Sequence, residues 1–356
     1  MDLVLKDAPL DSFPHACRAL LPRIQEVCDQ FHIVSLKRQI EACENLLQQN
    51  QLIDVAILGQ FKSGKSSFLN SLIGKSILPV GVLPVTTTIT RLQYGKRERA
   101  IIRHFDGQQA EVDIGAIEEF TSEAKNPANQ KNVEVVDLEL PSLERYAGLR
   151  LVDTPGLGSI FKSHIETSEN WLPEVGAALL AISSDRPLAE SDLQLIRDLR
   201  KHTPKIVLLL TKTDLLSPVQ QKEVLHFFQT ALQRELHEEF PIFLYSTRLE
   251  TQQLKQKVEN ELFNPLSINR KEEFESILRH KVQSVGQGCL SYLEIALKTS
   301  LNEDLDREQL RKQILDEKVN YELIREEMTL IARENAQRTR ELIKNYLETS
   351  HEPQLK

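Results

Sequence analysis

Gly59, Gly64, Lys65 and Ser66 stand in the order G-x-x-x-x-G-K-S within GQFKSGKSS. That spacing makes a phosphate cradle. Glycines let backbone N–H groups come close to phosphate oxygens, the lysine reaches the β and γ groups, and the serine hydroxyl ligates Mg²⁺. Ser63 and Ser67 flank the same loop. Two further constellations follow. Asp153, in RLVDTPGLG, closes an apolar run, where a carboxylate can hold Mg²⁺ directly or through water and Gly156 can bring its amide to a γ-phosphate. Thr211-Lys212-Thr213-Asp214 closes another. The Asp214 carboxylate can accept from the N1–H and exocyclic amine of guanine, a donor pair that adenine lacks, while the Lys212 stem covers the base. A site built around such a match discriminates by on the order of 10⁴.

Alone, the first pattern also fits a glycine-containing surface loop and the second a strand followed by a proline turn. Their context favours phosphate. Ile53 to Leu58 is a short β-branched and aliphatic run, as a buried parallel strand requires, and Phe68, Leu69, Leu72 and Ile73 then share one helical stripe. The segment Lys75 to Arg91 has two prolines and three consecutive threonines, which exclude a helix and predict an extended, hydroxyl-rich switch loop. Ile101 to Phe105, Ala110 to Ile114 and Val133 to Leu140 read as strands, with an Asp106-Gly107 hairpin turn and a short helix near Ala116 to Ser122. The strand beginning at Gly148, Ala177 to Ser183, Ile206 to Leu210 and Phe240 to Tyr245 complete the set, separated by helices over Ser191 to Lys201 and Pro218 to Glu238. Strands alternating with helices imply an α/β fold, a mostly parallel sheet with the ligand across the carboxyl ends of its strands.

Helical patterns flank this unit. Before it, Leu20, Ile24, Val27 and Phe31, then Leu36, Ile40, Cys43 and Leu47, repeat at three and four residues, as two helices or one bent one. After it, Arg270 to Thr299 carries Phe274, Ile277, Leu278, Val282, Val285 and Leu293 on one side. Glu303 to Glu348 has neither proline nor glycine and reads as a long helix or hairpin of mixed charge, packed in a bundle, with a coiled-coil-like repeat. The expected division is therefore 1–50 helical, 51–265 nucleotide-binding, and 266–356 helical.

A net charge of -8 argues against a broad phosphate-neutralising face, so no nucleic acid is expected. No stretch approaches the roughly 18 apolar residues of a membrane span, and the N-terminus lacks a signal-peptide pattern, so a cytoplasmic chain is expected. Cys17, Cys28, Cys43 and Cys289 show no metal-ligand spacing and read as reduced core residues.

From about Leu52 to Arg248 the sequence resembles the GTPase domain of the dynamin superfamily, especially bacterial dynamin-like proteins. The features that carry this are Gly64-Lys65-Ser66-Ser67, the FLNSLIG continuation and LPVGVLPVTTTITRLQYG. The resemblance implies that Lys65 and Ser66 bind phosphate and Mg²⁺, that Thr86 is the switch threonine completing the metal shell, and that Asp153 supports Mg²⁺ through water. It implies that Gly156 senses the γ-phosphate, that Lys212 and Asp214 read guanine, and that Ser246 and Thr247, with Arg248, close over the base. The flanking helices resemble a neck and trunk bundle.

Two departures stand out. Phe61 and Lys62 occupy positions where eukaryotic dynamins carry Gln and Ser, so the Lys62 ammonium is a candidate catalytic charge in cis, as the arginine of guanylate-binding proteins is. The other reading points Lys62 to solvent. The chain also stops after one mixed-charge helical region with no apolar tip, as expected for part of a longer polypeptide or half of a pair. The resemblance implies Mg²⁺-dependent GTP hydrolysis raised by self-association of GTPase domains and coupled to remodelling, peripherally at the inner face of a membrane or with a second dynamin-like chain. A GTP-controlled protein-interaction module and a nucleotide-binding scaffold remain the alternatives.

Overall fold

The computed structural model describes residues 13–48, 52–80, 88–155, 171–249 and 251–301, with residues 337, 340 and 341. Nine strands run through this part: β1 Ile53–Leu58, β2 Ile89–Tyr94, β3 Arg99–His104, β4 Gln109–Val112, β5 Val133–Leu140, β6 Leu149–Asp153, β7 Ala177–Ser183, β8 Ile206–Thr211 and β9 Ile242–Leu244. They form one sheet in the order β4-β3-β5-β2-β6-β1-β7-β8-β9. Pairings from β6 through β1, β7 and β8 to β9 are all parallel.

Burial explains that half. β1, β6, β7 and β8 are buried at every position, and their apolar runs need cover on both faces. On one face, Phe68, Leu69, Leu72 and Ile73 of α3 (Lys65–Ile73) are buried as the stripe predicts. On the other, Ala56, Leu58, Leu180, Ile182, Leu208 and Leu210 pack with Leu193, Ile196 and Leu199 and with Phe228, Leu232 and Leu236. The latter two sets come from helices α4 (Glu190–Leu199) and α5 (Pro218–Leu236).

The remaining half differs from expectation in one strand. Residues 89–94, read above as the switch segment and its continuation, are strand β2, inserted between β5 and β6. It runs parallel to β5 and antiparallel to β6, with Thr90 opposite Asp153. β3 is antiparallel to β4 and β5, and Gly107 at φ 84° makes the expected hairpin turn between β3 and β4. The two strands begin earlier than expected, at Arg99 and Gln109, and end sooner, at His104 and Val112.

The N-terminal pattern is two helices, α1 (Phe13–Gln30) and α2 (Lys37–Gln48), broken at His32, whose φ is 55°. The buried stripe of α1 is rotated from the expected one. Cys17, Leu21, Ile24 and Cys28 are buried, whereas Phe31 is 50% exposed. Short side chains, the cysteines, take the close-packed positions and leave the phenylalanine at the helix end outside. In α2, Ile40, Ala42, Cys43 and Leu46 are buried, and Leu36 just ahead of it packs against Gly288 of the last long helix.

Helix α6 (Thr251–Val258), a single wide turn over Glu259–Phe263, and α7 (Asn264–Ile268) precede α8 (Arg270–Leu301). Pro265 therefore does not end the regular structure. It sits in the first turn of α7, where a missing N–H costs no helical bond. On α8 Phe274, Ile277, Leu278, Val282 and Val285 are buried and Leu293 is half-buried. Described residues up to Cys289 make one compact unit, and those from Leu290 belong to a second. Most of the helix expected over Glu303 to Glu348 lies outside the described residues. No helix among the described residues is long and apolar enough to cross a membrane.

Candidate functional site

The loop between β1 and α3 is shaped by backbone angles that few side chains tolerate. Gly59 has φ 141°, and a Cβ there would lie 2.2 Å from the Ala181 carbonyl oxygen and 2.8 Å from Ser63 Oγ. Gly64, at φ 87°, begins α3, and Lys62 is also left-handed at φ 62°. The first turn of α3 thereby presents its free N–H groups and positive dipole end to the cradle. Lys65 is buried and donates from Nζ to the carbonyls of Gly59 at 3.0 Å and Gln60 at 3.2 Å. Burial lowers its pKa to about 8, an effect opposed by the nearby Asp153 carboxylate.

Asp153 ends β6 on the same side. Ser66 Oγ donates to its Oδ2 at 2.7 Å. The carboxyl is fully buried, and burial raises its pKa to about 6 against the pull of Lys65 and the Ser66 hydroxyl. Its Oδ1 and the hydroxyl of Ser63 have no hydrogen-bond partner among the described residues. Buried oxygens of this kind are costly unless something binds them. A hard carboxylate and hydroxyl pair, with a third oxygen left over, fits Mg²⁺, which favours oxygen ligands and keeps several waters.

A second wall is built by β8 and β9. Thr211 Oγ1 donates to the Ser63 carbonyl at 2.7 Å, fastening this wall to the phosphate loop. Lys212 is left-handed, at φ 57°. Ser246 Oγ donates to Asp214 Oδ1 at 2.7 Å and accepts from the N–H groups of Arg248 at 3.0 Å and Leu249 at 3.1 Å. The loop after β9 is thus folded over the aspartate. Between the walls lies a cavity of about 350 Å³ lined by Gly64, Ser67, Thr211, Lys212, Asp214 and Thr247 among others.

The structure brings together Gly59, Ser63, Gly64, Lys65, Ser66, Ser67, Asp153, Thr211, Lys212, Asp214, Ser246 and Thr247 at the carboxyl ends of the strands. Lys62 is on the same loop but exposed, with its ammonium 5.3 Å from the centre of the Phe61 ring. Thr86 and Gly156 lie outside the described residues.

Sequence reasoning missed Asp185 and Ser184. Asp185 Oδ2 meets Lys212 Nζ at 3.5 Å, and Ser184 Oγ donates to the Lys212 carbonyl at 3.0 Å, so the loop after β7 holds Lys212 in place and Asp185 itself lines the cavity. The available signal was their place just past the apolar run 177–183, at a strand end facing the ligand.

The sequence matches the dynamin family over residues 55–213, from within β1 to the Thr211–Asp214 turn. That stretch is similar to the GTPase domain of the dynamin family. It is 27% identical over 210 residues to an uncharacterised protein from the xynA 3′ region of Caldicellulosiruptor, covering 59% of this chain and 52% of that one. It is 27% identical over 226 residues to Dynamin-like protein 2 of Campylobacter jejuni, covering 61% and 36%. A solved bacterial dynamin, one of an oligomerised pair described as sensing and tethering membranes, superposes with a TM-score of 0.50 at 19% identity, covering 92% of this chain and 54% of that one. That likeness shows a shared dynamin fold. The chain spans about half, or less, of the length of the relatives it matches.

Proposed function

We propose that the cleft binds GTP with Mg²⁺ and hydrolyses it. One observation carries this reading: the Thr211 hydroxyl bonded to the Ser63 carbonyl joins the phosphate loop to the Asp214 turn, so cradle and base pocket are two ends of one cleft. Gly59, Ser63, Gly64, Lys65, Ser66 and Ser67 hold the phosphates. Lys212, Asp214, Ser246 and Thr247 hold guanine, with Thr211 between the two sets. Ser66 and Asp153, with Thr86, are the metal residues, and Gly156 the γ-phosphate sensor. Bound Mg²⁺ would neutralise charge developing on the β- and γ-oxygens. Lys65 supplies a further cation there, and no side-chain base is required where backbone groups order the attacking water.

The exposed ammonium of Lys62, one residue from buried Ser63, is a candidate second cation at the leaving oxygens. An arginine so placed in other GTPases is worth roughly 10³ to 10⁵ in rate. As a whole protein, the reading is a dynamin-like GTPase of three parts, 1–50, 51–265 and 266–356. It self-associates through the GTPase domain and works at the inner face of a membrane or with a second dynamin-like chain. Mixed charge on the helical segments keeps a GTP-timed protein-interaction module as the second reading.

GTP turnover measured across a hundredfold range of protein concentration tests the enzyme. Specific activity that rises with concentration is expected; no turnover at any concentration leaves only a scaffold. Pelleting with anionic vesicles, with and without GTP, then separates remodelling from the interaction module.

A further inference from the structure

Strand β2 places an unanticipated hydroxyl beside the metal end of the cleft. Thr90 lies directly opposite Asp153 in the antiparallel β2–β6 pair. Residues so paired project from the same face, with Cβ atoms about 4.5–5.5 Å apart. The Ser66 bond to Asp153 Oδ2 shows that this face is the one toward the start of α3. Thr90 and Asp153 are both 0% exposed, and neither Thr90 Oγ1 nor Asp153 Oδ1 has a partner among the described residues. Thr88, two residues earlier and 1% exposed, repeats the pattern with its own unpartnered Oγ1.

Packing does not account for these hydroxyls. Valine has the same shape and suits a strand as well, and it would bury no orphan oxygen. An outer-shell role does account for them. Mg²⁺ retains waters when bound through one or two protein oxygens, and the groups that hydrogen-bond those waters set the affinity. We propose that Thr90 is a positioning residue for the metal site, its hydroxyl bonded to the hydration shell of Mg²⁺ beside Asp153, with Thr88 continuing the row toward the nucleotide. This rests on the reading of the cleft as a Mg²⁺–GTP site.

Full-length Thr90→Val and Thr90→Ser chains test it by binding of a fluorescent, non-hydrolysable GTP analogue titrated with Mg²⁺, and again in EDTA. Thr90→Val should raise the Mg²⁺ concentration for half-maximal tight binding about tenfold. Its affinity in EDTA should match the parent and its melting temperature should not fall, and Thr90→Ser should bring the Mg²⁺ midpoint back. A parental midpoint in Thr90→Val overturns the proposal. So does equal loss with Mg²⁺ and EDTA at a lowered melting temperature, which is the mark of a structural residue. The parent chain separates the two levels: a parent whose nucleotide binding ignores Mg²⁺ refutes the site reading itself.

Discussion

Replacing Asp214 with asparagine exchanges one acceptor oxygen of the base pocket for an N–H donor and leaves the side-chain shape almost unchanged. In the parent, Ser246 donates to Asp214 Oδ1 at 2.7 Å, which holds the carboxylate plane under the loop that closes the pocket. Guanine presents two donors to that plane. Each hydrogen bond to a charged group is worth about 1.5–3 kcal/mol, so the pair contributes about 3–6 kcal/mol, or roughly 10² to 10⁴ in affinity. Xanthine presents one donor and one acceptor, which an amide matches. Asp214→Asn should therefore weaken GTP by that factor and bind XTP with the affinity the parent has for GTP. Equilibrium titration with fluorescent GTP and XTP analogues reads both, with thermal melting as a check on folding. GTP affinity within threefold of the parent, or loss of GTP without gain of XTP at an unchanged melting temperature, would refute the assignment. Ser246→Ala, which removes the hydroxyl aligning Asp214, should cost about 1 kcal/mol, roughly fivefold in GTP affinity and little in XTP binding by the asparagine variant.

Burial raises the Asp153 carboxyl from 3.8 to about 6, so it binds a proton more tightly folded than unfolded. Its contribution to stability is full below about pH 4 and is lost as pH rises through 6, worth ~3 kcal/mol for a shift of that size. Without nucleotide, the parent should therefore lose melting temperature relative to Asp153→Asn between pH 4.5 and 7; a pH-independent difference contradicts the burial argument. Mg²⁺ needs the ionised carboxylate, so Mg²⁺-supported nucleotide affinity should rise over the same interval in which the apo protein weakens. Lys62→Ala should lower GTP turnover with little change in GTP affinity, measured as single-turnover rate and equilibrium Kd; equal turnover, or full restoration by potassium alone, removes Lys62 from the mechanism.

The central strands were legible because each is apolar at nearly every position, a pattern that only a doubly covered parallel strand requires. β2 was not. Its threonines and the prolines upstream read as a hydroxyl-rich loop, and only pairing with β5 and β6, far apart in sequence, makes 89–94 a strand. Pro265 is compatible with helix α7 because it falls in the first turn. The candidate residues of the phosphate loop and of the Thr211–Asp214 turn could be read from local spacing, since each group sits at or just past the end of an apolar strand. Asp185 was signalled only by its place just past the apolar run 177–183, and Thr90 by nothing local, since its position opposite Asp153 comes from sheet pairing.

All four cysteines of the chain, Cys17, Cys28, Cys43 and Cys289, are buried thiols in α1, α2 and α8, and none touches the nucleotide cleft. Burial pushes the thiols of Cys17 and Cys28 up to about 11 and that of Cys43 to about 12, so they react only when their helices open. The native chain thus carries its own reporters, in three helices, of how firmly the helical layer is held. The rate at which a small alkylating reagent consumes each thiol, resolved by peptide mass, would give a local opening equilibrium for α1, α2 and α8 separately, and repeating it with GTP would show which of them senses the cleft.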